Sequence, residues 1–278
     1  MSWYSYITLP IICLTAVKCK TVRPYSNEEG PSFLRIDSKY ELSSFDTLQV
    51  ISYNIEYGLE SEAVSYWLKD TLDTNQGFVI FLQELDEQDF SLIAEQLSAN
   101  YIYHPISYEP KYDKNFGNGI VSNLTIMNTD KILLDETKLN GRKRSATYAQ
   151  VSWGKQIIHT YSIHLETMVM SRKKRINQLR SLVSNINSIQ KNEAIILAGD
   201  FNCISYDMRQ KYRQALLKAE LTEITQSIGP TLYLPLKIPA RTDLVFSRGL
   251  KALHCIRSQP NKDWSDHAAV FSLLTTDH

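Results

Sequence analysis

The sequence predicts an α/β fold from a pattern that occurs twice. Each time, an apolar strand pattern leads into a helical pattern and then into a second, buried-type strand. The first unit is "LQVISYN" (48–54), a helix over 59–72 and "GFVIFLQE" (77–84). The second is "IIHTYSIH" (157–164), a helix over 171–189 and "AIILAGD" (194–200). Such a unit normally sets its two strands side by side and parallel through a right-handed crossover. The length agrees: 278 residues, 43% hydrophobic and 10% aromatic, can bury a large core in one big domain or two small ones.

The first thirty residues stand apart from this pattern. Residues 7–17 form an apolar run, far short of the ~20 residues a membrane-spanning helix needs. The length suits the apolar region of an export signal, although "MSWYSY" lacks the basic start such signals carry. Cys19 resembles the acceptor cysteine of a bacterial lipoprotein, but Lys18 departs from the small residue expected before it. Export (periplasmic, outer-membrane or secreted) is preferred here over an irregular first element of a cytoplasmic protein. The polar stretch that follows reads as a linker. The expected division is therefore 1–30 for export segment and linker, and 31–278 for one domain.

From Leu48 onward no linker, low-complexity run or short repeat interrupts the chain. In the second helix, Ile176, Leu179, Val183 and Ile186 recur at helical spacing. Parallel strands finish at the same edge of a sheet. Asn54 and Glu84 end the first pair, and His164 and Asp200 the second, at the edge where open α/β sheets bind ligands. Within "LAGDFN" (197–202), Asp200 and Asn202 share a face if the strand persists. Near the C-terminus, "RTDLVF" (241–246), "KALHCIR" (251–257) and "HAAVFSLL" (267–274) read as three consecutive antiparallel strands. The first and third would then start at one edge, bringing Asp243 to Asp266 and His267. A carboxylate placed so orients an imidazole.

Charge and composition narrow the chemistry. Thirty basic and thirty acidic residues cancel, so no overall field draws the chain to nucleic acid or anionic lipid. That disfavours a pure nucleic-acid-binding protein, not an enzyme that cleaves nucleic acid. Four cysteines without a CxxC spacing offer neither a zinc ribbon nor a disulfide framework; Cys203 and Cys255 read as buried thiols. GxGxxG and GxxxxGK[ST] are absent, which disfavours NAD and nucleoside-triphosphate enzymes. Glu84, Asp200 and Asp266 would crowd three negative charges at one edge. Two carboxylates 4 Å apart repel by roughly 4 kcal/mol near a protein surface. A divalent cation turns that repulsion into a site, and oxygen ligands favour Mg²⁺ or Mn²⁺ over zinc.

Six motifs, "SYNIEYG", "LQELD", "SIHLE", "LAGDFN", "RTDLVF" and "WSDH", occur in the order found in the endonuclease/exonuclease/phosphatase (DNase I-like) superfamily. The resemblance covers about residues 48–275. With "GNGIVSN" (117–123) and "RINQ" (175–178), it is closest to compact bacterial members and to the tyrosyl-phosphodiesterase branch. It implies a four-layer sandwich of two packed mixed sheets flanked by helices, with the active site at one end. It also implies a metal-dependent phosphoesterase. Glu84 would be the principal metal ligand, with Asn54 beside it, Asp266 direct or through water, and Glu56 further out. Asp200 would hold or deprotonate the attacking water, and Asn202 would orient it and bind phosphate. His267, braced by Asp243, would contact the phosphate, and His164 would protonate the leaving oxygen. Ala269 and Leu244 depart from common family residues, at positions that concern packing.

The implied partner is a phosphate-ester substrate: nucleic acid, phospholipid or a small phosphorylated metabolite. A nuclease-like diesterase is the first reading; a sphingomyelinase-like phospholipid diesterase or small-molecule phosphatase is the alternative. A catalytically silent binding module is disfavoured by the complete acid, amide and histidine set. No protein partner is evident, and a monomer is expected. His104, His159 and His254 fall outside the shared edge and read as structural. "SRKKR" (171–175) reads as a solvated helical turn, Arg144 as either an ion-pair partner or a phosphate contact, and Asn123–Thr125 as a glycosylation sequon.

Overall fold

The computed structural model describes residues 22–37, 46–137 and 141–276. The apolar run at 7–17 and Cys19 lie outside them. β1 (Arg23–Pro24) and β2 (Phe33–Arg35) precede β3 (Leu48–Asn54), α1 (Ser61–Thr71), β4 (Gly77–Leu85) and α2 (Glu87–Gln96). β5 (Asn100–Glu109), β6 (Lys114–Ser122), β7 (Thr125–Thr137), β8 (Lys143–Trp153) and β9 (Gln156–His164) follow. Then come α3 (Arg172–Ile186), β10 (Ala194–Asp200), α4 (Tyr206–Leu217) and β11 (Thr222–Glu223). β12 (Leu232–Leu234), β13 (Ile238–Ala240), β14 (Asp243–Arg248), β15 (Leu250–Ser258) and β16 (Ala269–Thr276) complete the chain. No helix among the described residues is long and apolar enough to cross a membrane.

Two mixed sheets lie face to face. One has the order β1-β5-β6-β4-β3-β16-β15, with β2 also on β5; the other runs β11-β14-β10-β9-β8-β7. The two strand–helix–strand units supply the central parallel pairs, β3 with β4 in the first sheet and β9 with β10 in the second. The period-2 rule explains why these strands are apolar throughout. In β10, Ile196 and Ala198 point inward, against Val50, Phe81 and Ile120 of the other sheet. Ile195 and Leu197 point outward, under Leu179, Leu182 and Ile186 of α3 and Tyr212 and Leu216 of α4. α1 and α2 cover the first sheet in the same way, through Val64, Leu68, Phe90 and Ile93. The result is the expected four-layer helix–sheet–sheet–helix sandwich.

Two expectations are corrected. β14 does not pair with β15: it pairs with β10 and β11, whereas β15 pairs with β16 in the other sheet. Gly249, at φ +71°, carries the chain between sheets. β14 and β16 still start at one end, because each is antiparallel to a strand that finishes there. The stretch read as linker also joins the domain: Arg23–Pro24 pairs with β5, and the Tyr25 hydroxyl donates to Asn115 at 2.9 Å. Cys203 is buried as expected, but Cys255, on edge strand β15, is only half-buried.

Gly199 fixes how closely the strands before the site approach. It sits at φ +145°, and a Cβ there would lie 1.9 Å from the carbonyl oxygen of Ile163 on β9. Gly199→Ala should therefore cost about 2 kcal/mol or more, and lower Tm by about 4–8 °C in a domain of this size. A thermal melt at neutral pH measures this, and an unchanged Tm would refute the argument.

His104, on β5, is buried and its Nδ1 has no hydrogen-bond partner. Burial, with Lys131 nearby, pushes its pKa down to about 4. Between its ordinary value near 6.5 and 4, the unfolded chain binds a proton that the folded chain refuses, so stability falls as pH falls. His104→Gln should flatten the acid limb of the stability curve by up to about 3 kcal/mol. Denaturant unfolding at pH 7 and pH 4.5 reads this; equal slopes in both proteins would contradict it.

Candidate active site

At one end of the sandwich, the inward-facing rows of both sheets finish in polar side chains. Along β10 the inward positions are Ile196, Ala198 and then Asp200; along β9 they are Ile158, Thr160, Ser162 and His164. Val245 and Asp243 share the inward face of β14, and Leu48, Val50, Ser52 and Asn54 that of β3. In the second sheet, Asp200 stands level with His164 on one side and Asp243 on the other. The expected convergence of Asn54, Glu84, His164 and Asp200 is present, and the facing sheets bring it about.

Glu84 reaches this end by breaking the alternation. On β4, Val79 and Phe81 face inward, so position 84 would regularly point toward the helices. A β-bulge interrupts the pairing of β4 with β6 between Gln83 and Leu85, and Glu84 takes φ +65°. Bulges re-aim side chains, and left-handed backbone at a non-glycine residue is strain that the surroundings hold in place. Asn54 Nδ2 donates to Glu84 Oε1 at 3.2 Å and to Asp200 Oδ2 at 3.3 Å, so one amide serves two carboxylates. The Asn54 oxygen accepts the Glu56 amide, and a Glu56 carboxylate oxygen accepts the Asp266 amide. Asp266 is the open member of the group, with its side chain 58% exposed against 17% for Glu84.

His267 is buried and fixed from one side. Its Nδ1 lies 2.8 Å from Asp243 Oδ2, which also accepts the Thr242 hydroxyl at 2.9 Å. Its Nε2 faces Asp200 Oδ2 at 3.8 Å, and His164 Nε2 approaches the same oxygen at 3.4 Å. Burial pulls the His267 pKa down, but Asp243 and Asp200 outweigh it and hold the imidazole well above its ordinary range. Burial raises the carboxyls of Asp200 and Glu84, opposed chiefly by His267 at the former and by the Asn54 amide at the latter.

Asn202 meets Asp200 by a different route from the extended one expected. The strand ends at Asp200, and Asn202 turns back at φ +49°. Its amide N–H donates to Asp200 Oδ1 at 2.8 Å, and Nδ2 donates to Asp200 Oδ2 at 3.1 Å and to the Leu165 carbonyl at 3.0 Å. Arg175 secures this turn by donating to the Asn202 carbonyl at 3.0 Å. The residue read as part of a solvated basic turn is thus buried. Its spacing from Leu179 and Leu182, on the inward stripe of α3, carried that signal in the sequence. Arg144 is also buried; it pairs with Glu166 at 3.3 Å and lies over the Phe116 ring, which in turn packs on His164. Of its two open readings, the ion pair is present, beside the site. His104, His159 and His254 lie elsewhere; His159 contacts Tyr148 at 2.8 Å.

A profile of the Endonuclease/Exonuclease/phosphatase family matches residues 51–267, which spans every side chain of the site from Asn54 to His267. The chain belongs to this family. Members are phosphate-ester hydrolases as a class and generally need divalent metal. Among relatives, YbhP of Escherichia coli K12, itself uncharacterized, is 25% identical over 252 residues, covering 81% of this chain and 94% of that one. An endonuclease/exonuclease/phosphatase structure from Beutenbergia cavernae superposes with a TM-score of 0.68 at 16% identity, over 84% of this chain and 72% of that one. D. rerio TDP2 solved with a single-strand DNA product gives 0.64 at 19% identity, over 84% and 100%. These similarities show the shared fold.

The residues present suit the family's metal. Asp200, Asp243 and His267 offer three ligand atoms within 4.8 Å of one another. Asp243 and His267 are already committed to each other, however, so Glu84 and Asp266, on the open side, are the freer oxygen donors, with the buried Asn54 beside them. No lysine or arginine lies within ion-pair distance of Glu84 or Asp200 among the described residues; only histidines do. Buried carboxylates without a fixed cation, offering hard oxygen ligands, fit a Mg²⁺- or Mn²⁺-type ion.

Asp243→Asn should lower the pKa of His267, which NMR titration of the metal-free protein should place above 6.5 in the wild type. A raised folded-state pKa stabilises the fold fully below the unfolded value and loses that contribution as pH rises through the folded one. The substitution should cut kcat about 100-fold with little change in KM, and His267→Ala added to it should cost little more than His267→Ala alone. Additive losses in that double-mutant cycle would separate the two residues.

Proposed function

We propose that the protein is a divalent-metal-dependent phosphodiesterase of nuclease-like type, in which water attacks phosphorus and the P–O bond to the leaving group breaks. The observation that carries this reading is the crowding around Asp200 Oδ2. Asn54, His164, Asn202 and His267 converge on it from both sheets, beside Glu84. A carboxyl whose affinity for protons burial has raised can take one from water, and Asn202, whose backbone and side-chain amides both donate to it, holds that carboxyl in place. His267, kept cationic by Asp243, faces the charge that grows on phosphorus-bound oxygen. His164, across the same carboxylate, would return a proton to the departing oxygen. Bound at Glu84, Asn54 and Asp266, Mg²⁺ or Mn²⁺ would polarise the phosphoryl group and neutralise the clustered carboxylates.

Nucleic acid is the first substrate class, supported by the likeness to a TDP2 solved with single-strand DNA. A phospholipid diester is the second, favoured by one feature: β12 bridges to His267, and its hairpin exposes Leu236 (94%) and Ile238 (52%).

Hydrolysis of bis-p-nitrophenyl phosphate should stop with EDTA and return with Mg²⁺ or Mn²⁺. Glu84→Gln should raise the metal concentration needed for half-maximal rate by about 10-fold or more, with an unchanged melting profile. Full turnover in metal-free buffer would overturn the metal assignment. Profiling against single-stranded DNA, phosphatidylcholine vesicles and phosphomonoesters separates the substrate classes.

A further inference from the structure

Beside the turn that follows Asn202 lies a cleft of about 450 Å³ that the chemistry above does not use. Arg209 and Arg213 enter it from one face of α4, four residues apart, and Arg241 enters from the segment before β14; Ile204, Gln226 and Pro239 complete the walls. Two of the three guanidinium groups share one carboxylate. Glu223 is buried, paired with Arg213 and, at 3.0 Å, with Arg241. Arg209 has no carboxylate within ion-pair distance among the described residues. Its Nη1 donates only to the carbonyls of Cys203 and Ile204, both at 3.3 Å. The Nε atoms of Arg209 and Arg241 have no hydrogen-bond partner. Three positive charges against one negative leave the cleft with two uncompensated.

Like charges gathered in a half-buried cleft repel one another, and arginine forks match the geometry of phosphate oxygens. The position relative to the candidate active site is equally specific. Arg209 is bonded to the two residues that follow Asn202, and Arg241 stands two residues before Asp243. Two residues of chain span at most ~7 Å, so the cleft adjoins the candidate active site.

We propose that this arginine cleft is a second phosphate site, which selects substrates carrying a further phosphate one or two nucleotide lengths from the ester that is cut. It rests on the reading of the first site as a phosphodiesterase and adds to it the number and spacing of substrate phosphates. A nucleic-acid strand and a small bisphosphorylated metabolite both offer that chemistry.

The test compares thymidine 5′-(p-nitrophenyl phosphate) with the same ester bearing a 3′-phosphate. In Mg²⁺ buffer the wild type should show a KM about 10-fold lower for the bisphosphorylated ester, a gap that shrinks with salt. Arg209→Gln should abolish the gap and leave the kinetics of the singly phosphorylated ester unchanged. Gln226→Glu, a change at an exposed wall residue, should shrink the gap by repulsion even if the arginine variant folds poorly. Calorimetry of thymidine 3′,5′-bisphosphate against thymidine 5′-monophosphate reads the same preference without turnover, so an inactive protein would overturn the catalytic reading and leave this one measurable. Equal binding of the two nucleotides, or a preference that survives both substitutions, would overturn the second site. Competition by a tetranucleotide identifies a strand as the source of the phosphate, and competition by a hexose bisphosphate identifies a metabolite; each supports the site.

Discussion

The carboxylate of Asp200 is the point on which the rest of this end of the molecule depends. It terminates the most deeply enclosed strand of the second sheet, faces the first sheet, and accepts hydrogen bonds from Asn54, Asn202 and the Asn202 backbone. A buried acceptor of this kind costs several kcal/mol if left alone. Both histidines, both asparagines and the turn after the strand are arranged to meet it. Because these partners come from β3, β9, the segment before β16 and the loop after β10, satisfying one group locks two sheets in register.

The same arrangement links strain to chemistry. Glu56, Tyr57, Glu84 and Asn202 all take left-handed backbone at this end. Elsewhere such conformations are mostly found at turns. Here the bulge at Glu84 brings a carboxylate onto the inward face, where regular alternation would turn it toward the helices. The strain is held by the inter-sheet core behind it and by cross-links such as Gln83 to Ser162 at 3.3 Å and Thr147 to the Asn118 carbonyl at 2.7 Å. Stability in the interior thus supports a crowded, strained and partly charged rim. Removing a rim carboxylate would relieve repulsion as well as remove a ligand, so stability and activity need not fall together.

Electrostatics divides the site into a closed half and an open half. Asp243 and His267 are buried and matched to each other, which fixes one imidazole nitrogen and leaves the other toward Asp200. Glu84 and Asp266 stand nearer solvent without a fixed basic partner among the described residues. Orientation is built into the first half, and the second leaves its charge to the cation proposed above. The basic residues nearby, Arg144 and Arg175, are tied to Glu166 and to the Asn202 carbonyl, so they brace the walls.

The two parallel pairs are legible in the chain alone, and with them the meeting of Asn54 with Glu84 and of His164 with Asp200; the facing of the two sheets joins the pairs. Parallel strands must end together, and the apolar runs mark them clearly. The sequence also brought Asp243 and His267 to one end, although through a β14–β15 pairing that the structure does not contain. Ordered motifs supplied the family and, through it, the four-layer architecture. That β14 and β16 belong to different sheets is visible in the fold alone, because an apolar strand pattern does not name its neighbour. Only the fold showed that Glu84 turns inward at a bulge and that Asn202 folds back, since a reversal of one φ angle leaves no periodic trace. Arg175 was misjudged for a related reason: its charge suggested solvent, while its place on the inward stripe of α3 put it beneath the turn it holds. The arginines of the cleft come from α4 and the approach to β14, about thirty residues apart in the chain, and packing alone makes them one surface.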